Sequence, residues 1–446
     1  MKSKQLLNAK IPATLLQVGA VRFWLAALGI GIGTGVSAII LTRLLEIIQH
    51  LAWGGAGFDI LDAAERAGSF HRVIVLLGAG IVVGIGQIIL VRLSSGNGID
   101  ITSAIWFSAG RLPTLRTIGS AILSVIVVGM GASLGREGAP KQAGAVVANL
   151  ISDKASLSDE QRRLLVACGA GAGMAAEYGV PLGGALFSLE VLRGVLALRF
   201  ILPALLTSFV ATAISWLVLP NAPTYHIPAF SNSSATLVLA LAIGPIAGIV
   251  AVGYVRLIAW GDHNKPTGRK RVLIPILAFG LLGLLSVDFP QLLGNGKDLS
   301  QLLFVGGISS CGLLLTLLIL KPSATAMCLA CGAPGGLFTP SLTLGALLGG
   351  ILGMAGSTVW PGIPLGLSAV LGAGAVLAAT TQGPISAIVL MMELTGMDRS
   401  FIAPLLLSVF VATLVGRTIE ARSIYDARLS DAEVQARLAA REPPPH

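Results

Sequence analysis

The chain has 446 residues, of which 54% are hydrophobic and only 11% are charged. A soluble domain carries roughly 25% charged residues, so this composition excludes a soluble enzyme and indicates a polytopic membrane protein. The net charge of +9 does not mark a nucleic-acid binder, because the basic residues fall in short segments between apolar runs.

Residues 1–20 carry Lys2, Lys4 and Lys10 and are expected to form a cytoplasmic tail by the positive-inside rule. The first apolar run, 23–53, is too long for the core of a signal peptide and lacks a clear small-residue cleavage site. It reads as a first membrane helix. A polar stretch, 59–71, precedes a second run, 73–93, long enough to span at ~1.5 Å per residue. Residues 94–100 are glycine-rich and lead irregularly into a short apolar piece. The run 115–130 spans again and enters Gly135-Arg136-Glu137-Gly138-Ala139-Pro140. The next two runs, 139–151 and 181–192, are too short to cross with ease. Interrupted segments at membrane depth line cavities, since lipid cannot satisfy free backbone groups. Longer runs follow at 200–219, 235–260 and 272–287. The basic loop 262–271, between the last two, is also assigned to the cytoplasm. Runs at 313–320, 337–354, 365–379, 385–392 and 402–415 complete the set. The charged, proline-ended tail 426–446 is expected to be mobile.

An internal repeat organises these runs. Gly169-Ala170-Gly171-Ala172 recurs as Gly372-Ala373-Gly374-Ala375, Pro181 as Pro384 and Glu190 as Glu393, all at one offset. Gly135–Pro140 recurs as Gly335-Gly336-Leu337-Phe338-Thr339-Pro340. The chain therefore divides into related halves, about 21–220 and 221–425. Matched pairs of interrupted segments place a transport site at their interface.

Both copies of the second motif put glycine before an apolar run and proline in its first turn, where a missing N–H costs nothing. Such a helix start offers unpaired N–H groups and partial positive charge, which together bind anions. Glu137 adds a carboxylate that competes for the same place, as a gate would. Lys141, one turn on, is in the orientation of a Glu–Lys helix pair, and would hold Glu137 ionised, draw anions inward, or stand in solvent. Glu177 is an ionisable residue in an apolar region and so a functional candidate, either as a proton carrier or facing a water-filled vestibule. Glu190 and Glu393 are expected to bond to backbone or arginine groups in a structural role. Cys328 and Cys331 read as small packed residues, and no His or second Cys pair completes a metal site. No cofactor and no enzymatic activity is expected, since the five His residues lie in loops or at segment ends.

Gly135-Arg136-Glu137-Gly138, Gly336-Leu337-Phe338-Thr339-Pro340 and Tyr425 within Ser423-Ile424-Tyr425 resemble the CLC family of chloride channels and chloride/proton exchangers, most nearly a bacterial channel-type member. The resemblance runs from the first helix to Tyr425. It implies an all-α membrane fold of about eighteen helical segments in two inverted repeats, with broken helices meeting at a central anion site. It also implies a homodimer in the bacterial inner membrane, both termini cytoplasmic, with chloride as the permeating ion. By resemblance Glu137 is the gating glutamate. The backbone N–H groups of Leu337 and Phe338 and the Tyr425 hydroxyl then face the anion, together with Gly135 and Gly138. Neutral donors suit throughput, so Arg136 is expected to be structural or to set the local potential, and not to be a direct ligand of the ion. The family's inner serine is replaced by Asn97, whose amide still donates. In Leu186-Phe187-Ser188-Leu189-Glu190-Val191 the second acidic residue, the exchangers' internal proton relay, is replaced by Val191. That replacement favours a passive channel, voltage- or pH-gated, over an exchanger relying on another proton route such as Glu177.

Overall fold

The computed structural model describes residues 19–54, 60–93, 101–230, 233–396, 401–430 and 432–436. The described residues form seventeen α-helices of seven residues or more. The first half comprises α1 (Ala20–Trp53), α2 (Ile60–Arg66), α3 (Ser69–Leu93), α4 (Ile101–Phe107), α5 (Thr114–Gly129), α6 (Gly138–Lys154), α7 (Asp159–Tyr178), α8 (Pro181–Phe187) and α9 (Leu198–Ser215). The second comprises α10 (Ser234–His263), α11 (Lys270–Asp288), α12 (Lys297–Phe304), α13 (Cys311–Ala330), α14 (Phe338–Val359), α15 (Leu365–Thr381), α16 (Pro384–Thr395) and α17 (Ile402–Ile419). Eight of them are long and apolar enough to cross a membrane. Large apolar side chains such as Leu51, Phe70, Ile319 and Phe410 are more than 60% exposed, as lipid-facing residues must be.

Local sequence sets the boundaries. Ser158 and Gln161 form a reciprocal capping box at the start of α7, and Gly179 ends it in the left-handed conformation. Pro181 opens α8 and Pro384 opens α16. The run 181–192 is not one helix: α8 stops at Phe187 and a turn of π-helix, Ser188–Arg193, carries the chain to Gly194.

Two expectations are corrected. The apolar run ending at Leu320 continues for ten further residues, so α13 is 20 residues long and reaches ~30 Å. Lys321-Pro322 does not end it, because the buried Lys321 ammonium donates to the carbonyls of Leu292, Leu293 and Gly294 at 3.0, 3.3 and 2.9 Å. Those bonds satisfy a charge that lipid would reject. The start of the C-terminal tail is also ordered. Ala427, Leu429 and Val434 are buried, and Arg428 Nε donates to Asp262 Oδ1 at 3.0 Å.

The halves pack alike. A Cβ on Gly144 of α6 would collide with the Gly169 carbonyl of α7, and one on Gly345 of α14 with the Gly372 carbonyl of α15. Small residues there let the two backbones touch, the usual device for joining helices in lipid. The halves also cap each other. Glu190 accepts from the N–H groups of Ile385 and Ser386 at the start of α16, at 3.1 and 2.6 Å. Glu393 on α16 accepts from Leu182 and Gly183 at the start of α8, at 3.0 and 2.7 Å. These mirrored carboxylates are structural caps, satisfying helix-start donors with negative charge.

Candidate functional site

Two helix starts are tied together at the centre. Gly135 and Gly336 exchange both backbone hydrogen bonds, each 2.7 Å, in a single antiparallel bridge. The bridge places the first turns of α6 and α14 side by side. Neither helix has a side-chain cap from its own N-cap residue, Glu137 or Leu337. Their first N–H groups are thus left for other acceptors.

The Glu137 side chain, fully buried, turns back across this bridge. Its Oε1 accepts from the Phe338 N–H at 2.7 Å. Its Oε2 lies 3.3 Å from both the Tyr178 hydroxyl and the Thr339 hydroxyl, and those two hydroxyls are 2.7 Å apart. A Cβ on either Gly135 or Gly336 would fall within the carboxylate itself, so only glycine leaves room for it. The carboxylate therefore fills a pocket made of one amide and two hydroxyls, all neutral donors. A halide needs the same donors, and the same place, if the side chain leaves.

Arg136 stays off this seat. Its Nε lies 3.0 Å from Glu177 Oε1, an ionic contact whose N–H is not aimed at that oxygen. Its guanidinium stacks 5.1 Å from the Tyr178 ring centre. The Thr42 hydroxyl donates to the other Glu177 oxygen at 2.7 Å. Glu177 is thus paired and buried, and it does not face a vestibule.

A cavity of about 850 Å³ leads up to the helix starts. Gly138, Lys141, Gly335, Gly336, Leu337 and Tyr425 line it around the two helix starts. Arg111, Arg116, Lys265, Arg271 and Arg428 also line it, together with the carboxylates of Asp262 and Glu433. Arg111 pairs at 2.9 Å with Asp159, the first residue of α7. Glu177 is eighteen residues along that helix, so ~27 Å from the Asp159 end. Tyr425 is 7% exposed and its hydroxyl accepts from Lys141 Nζ at 3.4 Å.

The structure thus gathers Gly135, Glu137, Gly138, Leu337 and Phe338 at one point and places Tyr425 on the cavity wall beside Lys141. Asn97 lies outside the described residues. Val191 is buried at 3% exposure and offers no titratable group. Lys141 is buried at 6% exposure, so it does not stand in solvent. Tyr178 and Thr339 were not identified from the sequence. Thr339 stood inside a motif read for its backbone. The one available signal for Tyr178, among only four tyrosines in the chain, was its place beside Glu177 at a glycine-ended helix.

The family described as voltage gated chloride channel matches residues 78–417. The H(+)/Cl(-) exchange transporter ClcA of Salmonella arizonae is 28% identical over 94% of this chain and 89% of its own length. The protein of the same name from Citrobacter koseri is 33% identical over 68% of this chain and 66% of its own. Among solved structures, a slow cyanobacterial Cl-/H+ antiporter superposes with a TM-score of 0.77 at 21% identity, covering 94% of this chain and 98% of the other. A CLC-type fluoride/proton antiporter gives 0.67 at 22% identity, covering 92% and 98%. The fold is the all-helical CLC architecture, and members of this family are transporters. With its two helix starts bridged around one glutamate, this chain belongs to the voltage gated chloride channel (CLC) family of chloride-transporting membrane proteins.

Proposed function

We propose that this protein exchanges chloride for protons across a bacterial inner membrane, with Glu137 as the gate that takes turns with the anion. One observation carries the reading: the Glu137 carboxylate already occupies an anion's place, 2.7 Å from the Phe338 N–H at the start of α14. A proton on Glu137 cancels the charge that holds it there, and a halide arriving from the basic vestibule then replaces it. The reverse step delivers the proton and returns the carboxylate. Gly135, Gly138 and Leu337 shape the seat, Tyr425 donates on the inner side, and Arg136 sets the potential without touching the ion. The exchanger names of the relatives support coupling. The basic vestibule wall agrees with a cytoplasmic side, and the family resemblance supports a homodimer with one pathway per subunit.

A passive, gated channel is the second reading, and Val191 favours it, since an apolar residue stands where exchangers keep an inner acid. Glu177 is a weak substitute, being buried and ion-paired with Arg136. Simultaneous chloride and proton flux in liposomes decides between the two. A chloride gradient should drive protons uphill if the protein is an exchanger. Chloride movement with no proton movement would leave the channel.

A further inference from the structure

Lys141 is a cation in a place where neutral donors would suffice. It sits one turn after Glu137 on α6, buried, on the vestibule wall beside the helix start of Gly138. Its Nζ lies over two aromatic faces, 4.9 Å from the Tyr425 ring centre and 5.4 Å from that of Phe187. Those rings meet edge to face at 5.8 Å. The ammonium is thus held between α6, α8 and the C-terminal segment, with cation–π attraction offsetting part of its dehydration. Such a position is costly for a charge that only packs.

The hydrogen bond to Tyr425 has a fixed direction. An ammonium has donors and no acceptor, so across the 3.4 Å contact the phenol oxygen must accept. The phenol hydrogen is therefore directed away from Nζ, and the ammonium polarises that O–H, making it a stronger donor. Both residues line the cavity that ends at the helix starts of Gly138 and Leu337.

From this geometry we infer that Lys141 is a positioning residue which, through Tyr425, sets the affinity and turnover of an inner subsite for a small monovalent anion. This deepens the transport reading above and holds for channel and exchanger alike. A full charge near the ion deepens the well and slows release. The Lys141 site therefore trades throughput for tight binding at low halide.

The test is bromide binding by calorimetry to the purified full chain in halide-free detergent, paired with chloride flux from liposomes. Lys141→Met keeps the length of the stem and removes the charge. It is expected to weaken bromide binding by about tenfold or more, the scale of a lost charge-assisted bond, and to raise flux at saturating chloride. Lys141→Arg should restore most of the affinity. Tyr425→Phe should produce a similar loss, and the double variant should lose no more than the worse single one. A merely structural role would lower the unfolding temperature without this split between affinity and turnover, and that result overturns the inference. So does wild-type affinity in Lys141→Met, including the case where only proton movement is lost, which would make Lys141 a proton carrier. Fully additive losses in the double variant also overturn it. If the wild-type protein bound no bromide at all, the transport reading itself would fall.

Discussion

At Glu190 and Glu393 the two halves meet reciprocally, each lending a carboxylate to the other's helix start. At Glu137 they meet on one side only. The first half supplies the acid and the second supplies the amide, while the repeat partner of Glu137 is Leu337, which has nothing to return. A reciprocal pair is two caps, and releasing either leaves helix-start donors unsatisfied with no replacement. A one-sided seat can be emptied, because an incoming anion satisfies the same donors. Symmetry serves cohesion here, and on the proposed gating role its breaking at one residue makes a movable part.

The largest expected effect is at the movable carboxylate. Glu137→Ala should give chloride flux that no longer responds to pH and moves no protons, measured in liposomes between neutral and acidic pH. Wild-type pH dependence in that variant would mean that the seat is only another cap. The comparison between the two meetings would then collapse.

Next come the reciprocal caps. Glu393→Gln keeps one acceptor and loses the charge and one bond to the start of α8. The expected cost is about 1–2 kcal/mol, read as a lowered unfolding temperature in detergent with transport coupling intact. Glu190→Gln should do the same at α16. Because both caps join α16 to the segment of α8 and the π-helical turn that follows it, the double variant should depart from additivity. Altered coupling with unchanged stability would reverse the roles assigned to the two meetings.

The elements most legible in the sequence were those governed by apolar length and by proline and glycine punctuation. Most of the long helices, the short α8 and the glycine-led helix starts at Gly135 and Gly335 follow from local rules, whereas the facing of Glu137 and the Phe338 N–H was expected only from the family resemblance. Long-range partners were not legible. Nothing near Lys321 announces that three carbonyls almost thirty residues away will receive its charge, so α13 reads as too short. Tyr178 and Glu137 are 41 residues apart, and only the return of α7 to the centre joins them. The direction in which Lys141 reaches is likewise decided by Tyr425, 284 residues later.

Tyr178 gives a finer measure of the one-sided seat. Tyr178→Phe removes one hydroxyl from Glu137 and leaves the ring that packs 5.9 Å from Phe338. The carboxylate keeps the amide and Thr339, so the seat is weakened by ~0.5–1.5 kcal/mol. Halides should then displace the side chain more readily, raising flux several-fold at fixed pH. An unchanged flux would show that Thr339 and Phe338 alone hold the carboxylate.

A carboxylate outside both meetings sets the lower end of the scale. Glu420 follows α17 and accepts from Arg422 at 2.8 and 3.1 Å. Those bonds, foremost, hold its carboxyl below the usual range, with Arg256 a smaller contributor. A depressed carboxyl stabilises the folded state fully above the unfolded value of ~4.3. That contribution is lost as pH falls through the lowered folded value. The Arg256 side chain is 58% exposed and that of Arg422 30% exposed, so solvent and salt screen the group. Glu420→Gln should cost less than about 1 kcal/mol at neutral pH, and the difference from wild type should shrink in acid. A loss as large as that of Glu393→Gln would mean that pairing with side chains holds this fold as firmly as capping does, removing the distinction between a carboxylate seated on a helix start and one that is not.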